Sequence, residues 1–596
     1  MSDPLLPKYN EELFFFRTQA ADFARRHPLE AKQLGVGPHG TTEDPHVLRL
    51  IESFAYLNAR IRHKLDDDLP EITDALLGVL YPHYQRPVPS LAIVQFTLDP
   101  GQGEPTTGYE LPRGLELETV DRVEGEACRF RTCYPLTMWP VAVEAARLSV
   151  APFDALPRPK RPGTGETPPP ESVLRISLKC TAPDVGFGQM RLGRLRFFLD
   201  GQDQQTYALY EQLFNDTTEV VLAAPGDVAG PVSLPAQSIE RVGFERSEAL
   251  LPDDARTFPG YRLLTEFFAL PQKFLFFDLA GLGPERLAGF GERLDVYFHL
   301  RRKVPDLVHQ VRAEMFRLGC TPAINLFAKP ADPITLTHAE PEYRVVPDRR
   351  RPEAHEVYSI DEVKATSPRD DKVVYQPLYS FKHGFERERQ TAYWHAVRRP
   401  AAGNAPTGRP TANTIEGTEV FLSLVDLRLT TSAPADWTLS VNTTCLNRDL
   451  PKRLHQPRFQ LLAAGAPVAA ITCRVGPTPT LRPELKQGAM WRLVSHLTLN
   501  QLSIAEGDES AAALREILSL YDVPDSEVTR PLIEGLRSVR GERSVRRVGG
   551  GEGGLCRGTK VRLHLDDGRF FSGLAYLFSA VLSQFFGLYC TLNSFT

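Results

Sequence analysis

Residues 318–363 read LGCTPAINLFAKPADPITLTHAEPEYRVVPDRRRPEAHEVYSIDEV. The segment is dense in proline, in short strand-favouring runs and in turn residues, the texture of a β-rich domain with tight connections. It contains no nucleophile, metal or phosphate motif that completes itself. That combination points to assembly rather than catalysis.

The same texture extends outward on both sides. Towards the N-terminus, LAIVQFTLD (91–99), RFRTCYPLTM (129–138), VLRISLKC (173–180), LRFFLD (195–200), EVVLAA (219–224) and RLDVYFHL (293–300) are short β-like runs broken by Gly and Pro, as in packed antiparallel sheets. Towards the C-terminus, GTEVFLSLVDLRLT (417–430) and WTLSVNTTCL (437–446) continue it. PRPKRPGTGETPPPE (157–171) and RPAAGNAPTGRPTAN (399–413) are too poor in apolar residues to pack and read as exposed loops.

Helical spacing brackets this β-rich centre. Tyr9 to Arg26 is one predicted helix, and Asp44 to Leu65 a stronger one with Pro45 in its first turn. Within the latter, Val47, Leu50, Phe54, Leu57 and Ile61 follow a 3-4-3-4 spacing, the seam of a short coiled coil or bundle that needs a partner helix. The partner lies either in this chain or in another. Asp66, Asp67 and Asp68 precede LPEITDALLGVLYPHY (69–84) and read as a helix-entry cluster rather than a metal site. Near the C-terminus, Ala511, Leu514, Ile517, Leu518 and Tyr521 mark one apolar face, with Asp508 and Ser510 as cap candidates, and a further helix is expected over 529–539. The expected fold is α+β and multidomain. Its parts are an N-terminal helical region (1–88), two antiparallel β-rich domains (89–317 and 318–480) and a C-terminal mixed domain (481–596).

Composition agrees with this division. A chain of 596 residues is too long for one core, and 50 prolines disfavour a mostly helical protein. The net charge of −5 implies neither a nucleic-acid tail nor an acidic disordered one. Eight scattered cysteines without a C-x-x-C pair, and an acidic rather than basic N-terminus, fit a reducing, cytoplasmic setting. One stretch pulls the other way: FFSGLAYLFSAVLSQFFGLYCTLNSFT (570–596), which includes Phe585 and Phe586, is charge-free and long enough to span a bilayer. Its serines, Gln584 and Asn593, with no basic residue beyond them, favour a helix buried within the protein or at a contact between subunits over a tail anchor.

Candidate chemistry fails motif by motif. Gly553, Gly558, Thr559 and Lys560 mimic a phosphate loop, but Lys and Thr stand in reversed order and a strand-like segment follows. His338 and Glu340 give half of a zinc-deaminase signature without its cysteines. His355, His383 and His395 lack ligand spacing. Arg537, Arg540, Arg543, Arg546 and Arg547 form a basic stripe whose default reading is a solvated face; an acidic protein surface comes next and nucleic acid last. Paired carboxylates of a carbohydrate-active hydrolase are placed by a fold, so spacing leaves that alternative open. The residues thus assign no catalytic group, cofactor, metal or small-molecule substrate.

Several blocks resemble the TssF family of type VI secretion baseplate subunits. They are YNEELFFFR (9–17), LLGVLYPHYQRPVPSLAIVQF (76–96), LGCTPAINLF (318–327), EYRVVPDRR (342–350) and EVYSIDEV (356–363). QTAYWHAVRR (390–399), CLNRDLP (445–451), WRLVSHLTLNQLSI (491–504), ALREILSLYD (513–522) and SQFFGLYCTLNSF (583–595) follow in order. The resemblance implies a structural subunit akin to phage-tail wedge proteins, in a complex of two TssF and one TssG. It further implies contacts with TssK, TssE and a VgrG/Hcp hub, a peripheral relation to the membrane complex, and a place at the cytoplasmic face of the inner membrane. No catalytic residue is implied. The expected interface residues are Val47, Leu50, Phe54, Leu57 and Ile61, with Phe585 and Phe586 from the tail.

Overall fold

The structure is a computed structural model. It describes residues 5–33, 35, 37, 44–68, 77–78, 80–99, 106–153, 156–157, 169–225, 230–253, 257–337, 339–378, 392–401, 417–426, 437–463, 465–483, 510–523, 529–547, 555–566, 573–588 and 594–595. Two compact units emerge: Met1–Gly78 with Glu484–Ser495, and Val79–Pro483 with His496–Thr596. The fold is α+β and rich in strands.

In the first unit, α1 (Leu5–Arg26) packs along α3 (Pro45–Asp68), with the short α2 (Pro28–Gln33) between them in sequence. Asp44 starts α3: its carboxylate accepts the N–H of His46 at 2.8 Å and its carbonyl the N–H of Leu48 at 3.0 Å, with Pro45 at the first position, where a missing donor costs nothing. Asp66, Asp67 and Asp68 are the last residues of α3, not the entry to the next helix. Most of residues 69–84 lie outside the described residues.

The second unit is built on sheets. A closed six-stranded barrel joins Leu91–Leu98, Glu116–Val123, Glu126–Thr132, Cys320–Ile324, Arg458–Leu461 and Val468–Val475. Leu91–Leu98 runs antiparallel to Cys320–Ile324 on one side, with Leu91 opposite Ile324, and to Val468–Val475 on the other, with Phe96 opposite Ile471. Val94, Phe96, Leu117, Phe130, Phe459 and Ile471 fill its interior. The expected boundary at 317 therefore does not match the sheets, since strands from both sides of it close one barrel. A five-stranded sheet lies wholly within 141–300, a four-stranded one within 193–317, and an eight-stranded one within 327–446.

Helices of this unit pack on one another. α4 (Asp203–Glu211) and α5 (Pro259–Ala269) contact α8 (Leu574–Leu588), and α5 also meets α6 (Ser510–Tyr521). The buried face of α6 is Ala511, Leu514, Ile517, Leu518 and Tyr521, the face expected from spacing. The helix expected over 529–539 stops at Glu534 as α7 (Thr529–Glu534), and Leu536 opens a strand. Leu536–Arg547 pairs antiparallel with Leu555–Leu565, so the arginine stripe lies on a β-ribbon.

Candidate assembly interface

The seam of α3 faces outward. Leu50 is 59% exposed, Phe54 54%, Leu57 50% and Ile61 58%, whereas Ala55 and Ala59 are fully buried; Val47 is half-buried. At about 100° per residue, Leu50, Phe54, Leu57 and Ile61 share one stripe and the two alanines lie on the opposite side. Within this chain α1 packs on α3, and the buried side of α3 holds Ala55 and Ala59 rather than the seam. Small side chains let the two backbones approach, and the large apolar groups are left without a cover. On α1, Phe15 (54% exposed) and Phe23 add to the apolar surface of this unit. Their eight-residue separation was a helical signal in the sequence that the seam reading passed over.

The tail behaves differently. Phe585 and Phe586 are 0% and 2% exposed, within their own unit. The Phe585 ring lies 6.1 Å from Phe258 and 6.0 Å from Tyr261, and Phe578 stacks on Phe267 at 5.5 Å. Gly260 makes this possible, because a Cβ there would stand 2.8 Å from the Phe585 ring and closer still to Phe258. These two phenylalanines thus belong to the chain's own core rather than to an open contact surface. Among the described residues no helix is long and apolar enough to cross a membrane.

The polar clusters are tied up in structure. Lys273 and Glu266, each 1% exposed, form a buried ion pair, and Glu266 also accepts the N–H groups of Leu250 and Leu251 at 2.9 Å. Burial pushes the Lys273 ammonium down from its ordinary range, against the pull of Glu266. No spacing in the sequence marked this pair, because it joins a helix to the turn that follows it. A cleft of about 500 Å³ is lined by Phe96, Met138, Trp139, Arg196, Glu314 and Arg317 among others. Its arginines are committed: Arg196 to Asp278 at 2.7 Å and Arg317 to Asp200 at 3.2 Å. Burial pushes the thiols of Cys128, Cys133 and Cys473 up to about 12, well away from nucleophilic thiolates. Among the described residues no three His, Cys, Asp or Glu side chains converge on a metal position. His338, His383 and Gly553 lie outside the described residues; Gly558, Thr559 and Lys560 sit within a strand.

Comparison with known proteins places this architecture. The family model described as "Type VI secretion system, TssF" matches residues 1–596. The type VI secretion system component TssF1 of Pseudomonas aeruginosa is 36% identical, across 100% of this chain and 96% of that protein. A chain in the cryo-electron microscopy structure of the type VI TssK-TssF-TssG baseplate subcomplex superposes with a TM-score of 0.70 at 29% identity, covering 92% of this chain and 95% of that one. A chain of the type VI baseplate complex shares the fold at a TM-score of 0.57 and 24% identity, over 99% and 95%. The chain belongs to the TssF family of type VI secretion system baseplate components.

Proposed function

We propose that this chain is a structural, non-enzymatic wedge subunit that assembles with TssK and with one TssG shared between two copies of itself, and that the α3 seam is where TssG docks. In this arrangement it meets TssE and surrounds the VgrG/Hcp hub at the cytoplasmic face of the inner membrane. The observation that carries this reading is the outward stripe of Leu50, Phe54, Leu57 and Ile61 on a helix whose other side is already packed. The solved relative in the TssK-TssF-TssG subcomplex supports the choice of partners.

Covering the remaining exposed half of each of these four side chains is worth roughly 1 kcal/mol apiece before the cost of association. A stripe of this kind fits an amphipathic helix laid along it. Co-expression with TssG tests the reading. Phe54→Asp together with Leu57→Asp is expected to abolish co-purification of TssG, while unfolding shifts by no more than about 0.5 kcal/mol, as for surface positions. Native mass spectrometry of the wild-type complex is expected to give two copies per TssG. Retained TssG in the double variant would sink the seam assignment.

A further inference from the structure

Three half-buried arginines of the second unit gather around Tyr358. Tyr358 is buried and is the extra residue of a β-bulge in Glu356–Thr366, where Val357 lies opposite Cys445 and Ser359 opposite Thr444. A bulge interrupts the ladder and re-aims a side chain. Arg398, on Ala392–Pro400, donates to the Val357 carbonyl at 2.7 Å, the Tyr358 carbonyl at 2.9 Å and the Thr418 hydroxyl at 2.7 Å. Arg86, just after the short helical turn Pro82–Gln85, sets its guanidinium 5.3 Å from the centre of the Tyr358 ring. Arg131 comes from the barrel strand Glu126–Thr132. Burial pushes the Tyr358 phenol up from its ordinary range, and Arg86, Arg131 and Arg398 all pull it back. Burial pushes the Arg398 guanidinium down to about 10, Glu356 opposing and Arg86 adding to the fall, so it stays charged at neutral pH.

Other arginines of this unit find carboxylates: Arg302 meets Asp216 at 2.6 Å, Arg474 meets Asp200 at 2.6 Å and Arg482 meets Glu356 at 2.8 Å. Arg86, Arg131 and Arg398 form no ion pair among the described residues. Glu356, two residues before Tyr358, is taken by Arg482 and by the N–H and hydroxyl of Thr418 at 3.0 and 2.5 Å. Glu116, across the strand pair from Arg131, is exposed and makes no ion pair with it. A guanidinium cannot shed its proton, so like charges gathered out of water are unfavourable until an anion compensates them. Donors remain for one. Arg398 uses three of its five N–H groups, and all three arginines are partly exposed and within reach of solvent.

We propose that Arg86, Arg131 and Arg398 bind a free tetrahedral oxyanion of the inorganic phosphate class beside Tyr358, tying the barrel to the eight-stranded sheet. The donors arrive from three elements, a turn, a barrel strand and a sheet strand. A tetrahedral dianion presents oxygens in several directions and two charges to them, whereas a carboxylate presents two coplanar oxygens and one charge, the match for a single guanidinium fork. Arg86, Tyr358 and Arg398 fall in the blocks 76–96, 356–363 and 390–399, none of which takes part in the α3 seam.

Equilibrium dialysis of the full chain against radiolabelled inorganic phosphate tests this, in about 150 mM NaCl so that diffuse charge is screened. One phosphate per chain is expected, with a Kd on the order of 0.1–1 mM. Sulfate is expected to displace it, and acetate at the same concentration is not. Arg86→Gln and Arg131→Gln are each expected to weaken binding about tenfold or more. Arg86→Lys keeps a cation over the ring but loses the planar fork, and is expected to weaken it less. Arg131→Gln gives up no ion pair, so its urea midpoint without phosphate is expected not to fall below that of wild type. Phosphate is expected to raise the wild-type midpoint and to leave that of Arg131→Gln in place. The Phe54→Asp, Leu57→Asp variant is expected to bind phosphate as wild type does, so loss of the seam and loss of this site are told apart. No saturable binding below about 10 mM would overturn the proposal, as would binding unchanged in both Gln variants. Displacement by acetate as effective as by sulfate would also overturn it. So would loss of TssG co-purification in the Gln variants of a chain that binds no phosphate, which would assign the arginines to a partner's carboxylate.

Discussion

A buried histidine carries the clearest pH signature in this protein. His355 is 3% exposed, packs edge-on to Phe327 at 5.8 Å and has Nε2 3.6 Å from a Glu126 carboxylate oxygen. Burial, aided by Lys329, pushes it down to about 4, while Glu126 and Asp348 pull the other way. In the unfolded chain it titrates near 6.5. Between those values the unfolded state binds a proton that the folded state does not. The contribution is therefore complete above about pH 6.5 and is lost as pH falls towards 4, roughly 3 kcal/mol in all. His355→Gln is expected to flatten the pH dependence of urea unfolding over that window; equal slopes in the two proteins would count against it. Sequence spacing showed only that His355 lacked ligand geometry. Whether a lone histidine is charged depends on neighbours such as Glu126 and Phe327, which come from other strands and leave no local trace.

At the scale of elements, α8 is held by aromatic packing. Phe585 and Phe578 lie against α5, and removing a fully buried phenylalanine costs about 3–5 kcal/mol. Phe585→Ala is expected to lower stability by about that much in chemical denaturation, and the chain is expected to stay out of the carbonate-resistant membrane fraction; a loss below about 1 kcal/mol would mean that α8 contributes little to this core. The sequence made the helical elements legible wherever one side was apolar, as with α6, and made the strands legible as short runs of Val, Ile, Leu and Phe. It misread the segment after Glu534. Arginine at every third residue from Arg537 to Arg546 imitates helical spacing, but pairing with Leu555–Leu565 decides the conformation. Such pairing is a property of two segments together and is invisible in either one alone. The exposed seam was legible as a stripe, whereas its orientation became clear only once Ala55 and Ala59 were seen to face inward.

At the scale of the whole molecule, proximity in sequence is a poor guide to cooperative units. A division at 317 follows composition, but the barrel draws its strands from 91–132, 320–324 and 458–475. Leu91–Leu98 owes both of its neighbours to segments far along the chain, so it cannot be protected until those have been made. The five-stranded sheet takes all its strands from within 141–300, where Val173 to Lys179 pairs with Arg293 to His299 in unbroken register. A single substitution separates the two. Ile471 is 5% exposed in the barrel core, opposite Phe96 on one side and Phe459 on the other. A carboxylate there has no partner and costs several kcal/mol. Ile471→Asp is expected to release the amides of Leu91–Leu98 and Glu116–Val123 to fast hydrogen exchange, while those of Ser172–Cys180 and Arg293–Leu300 keep their protection. Uniform loss across both sheets would mean that the barrel and the five-stranded sheet unfold as one unit. Unchanged protection at Leu91–Leu98 would mean that its pairing with Cys320–Ile324 suffices to hold it.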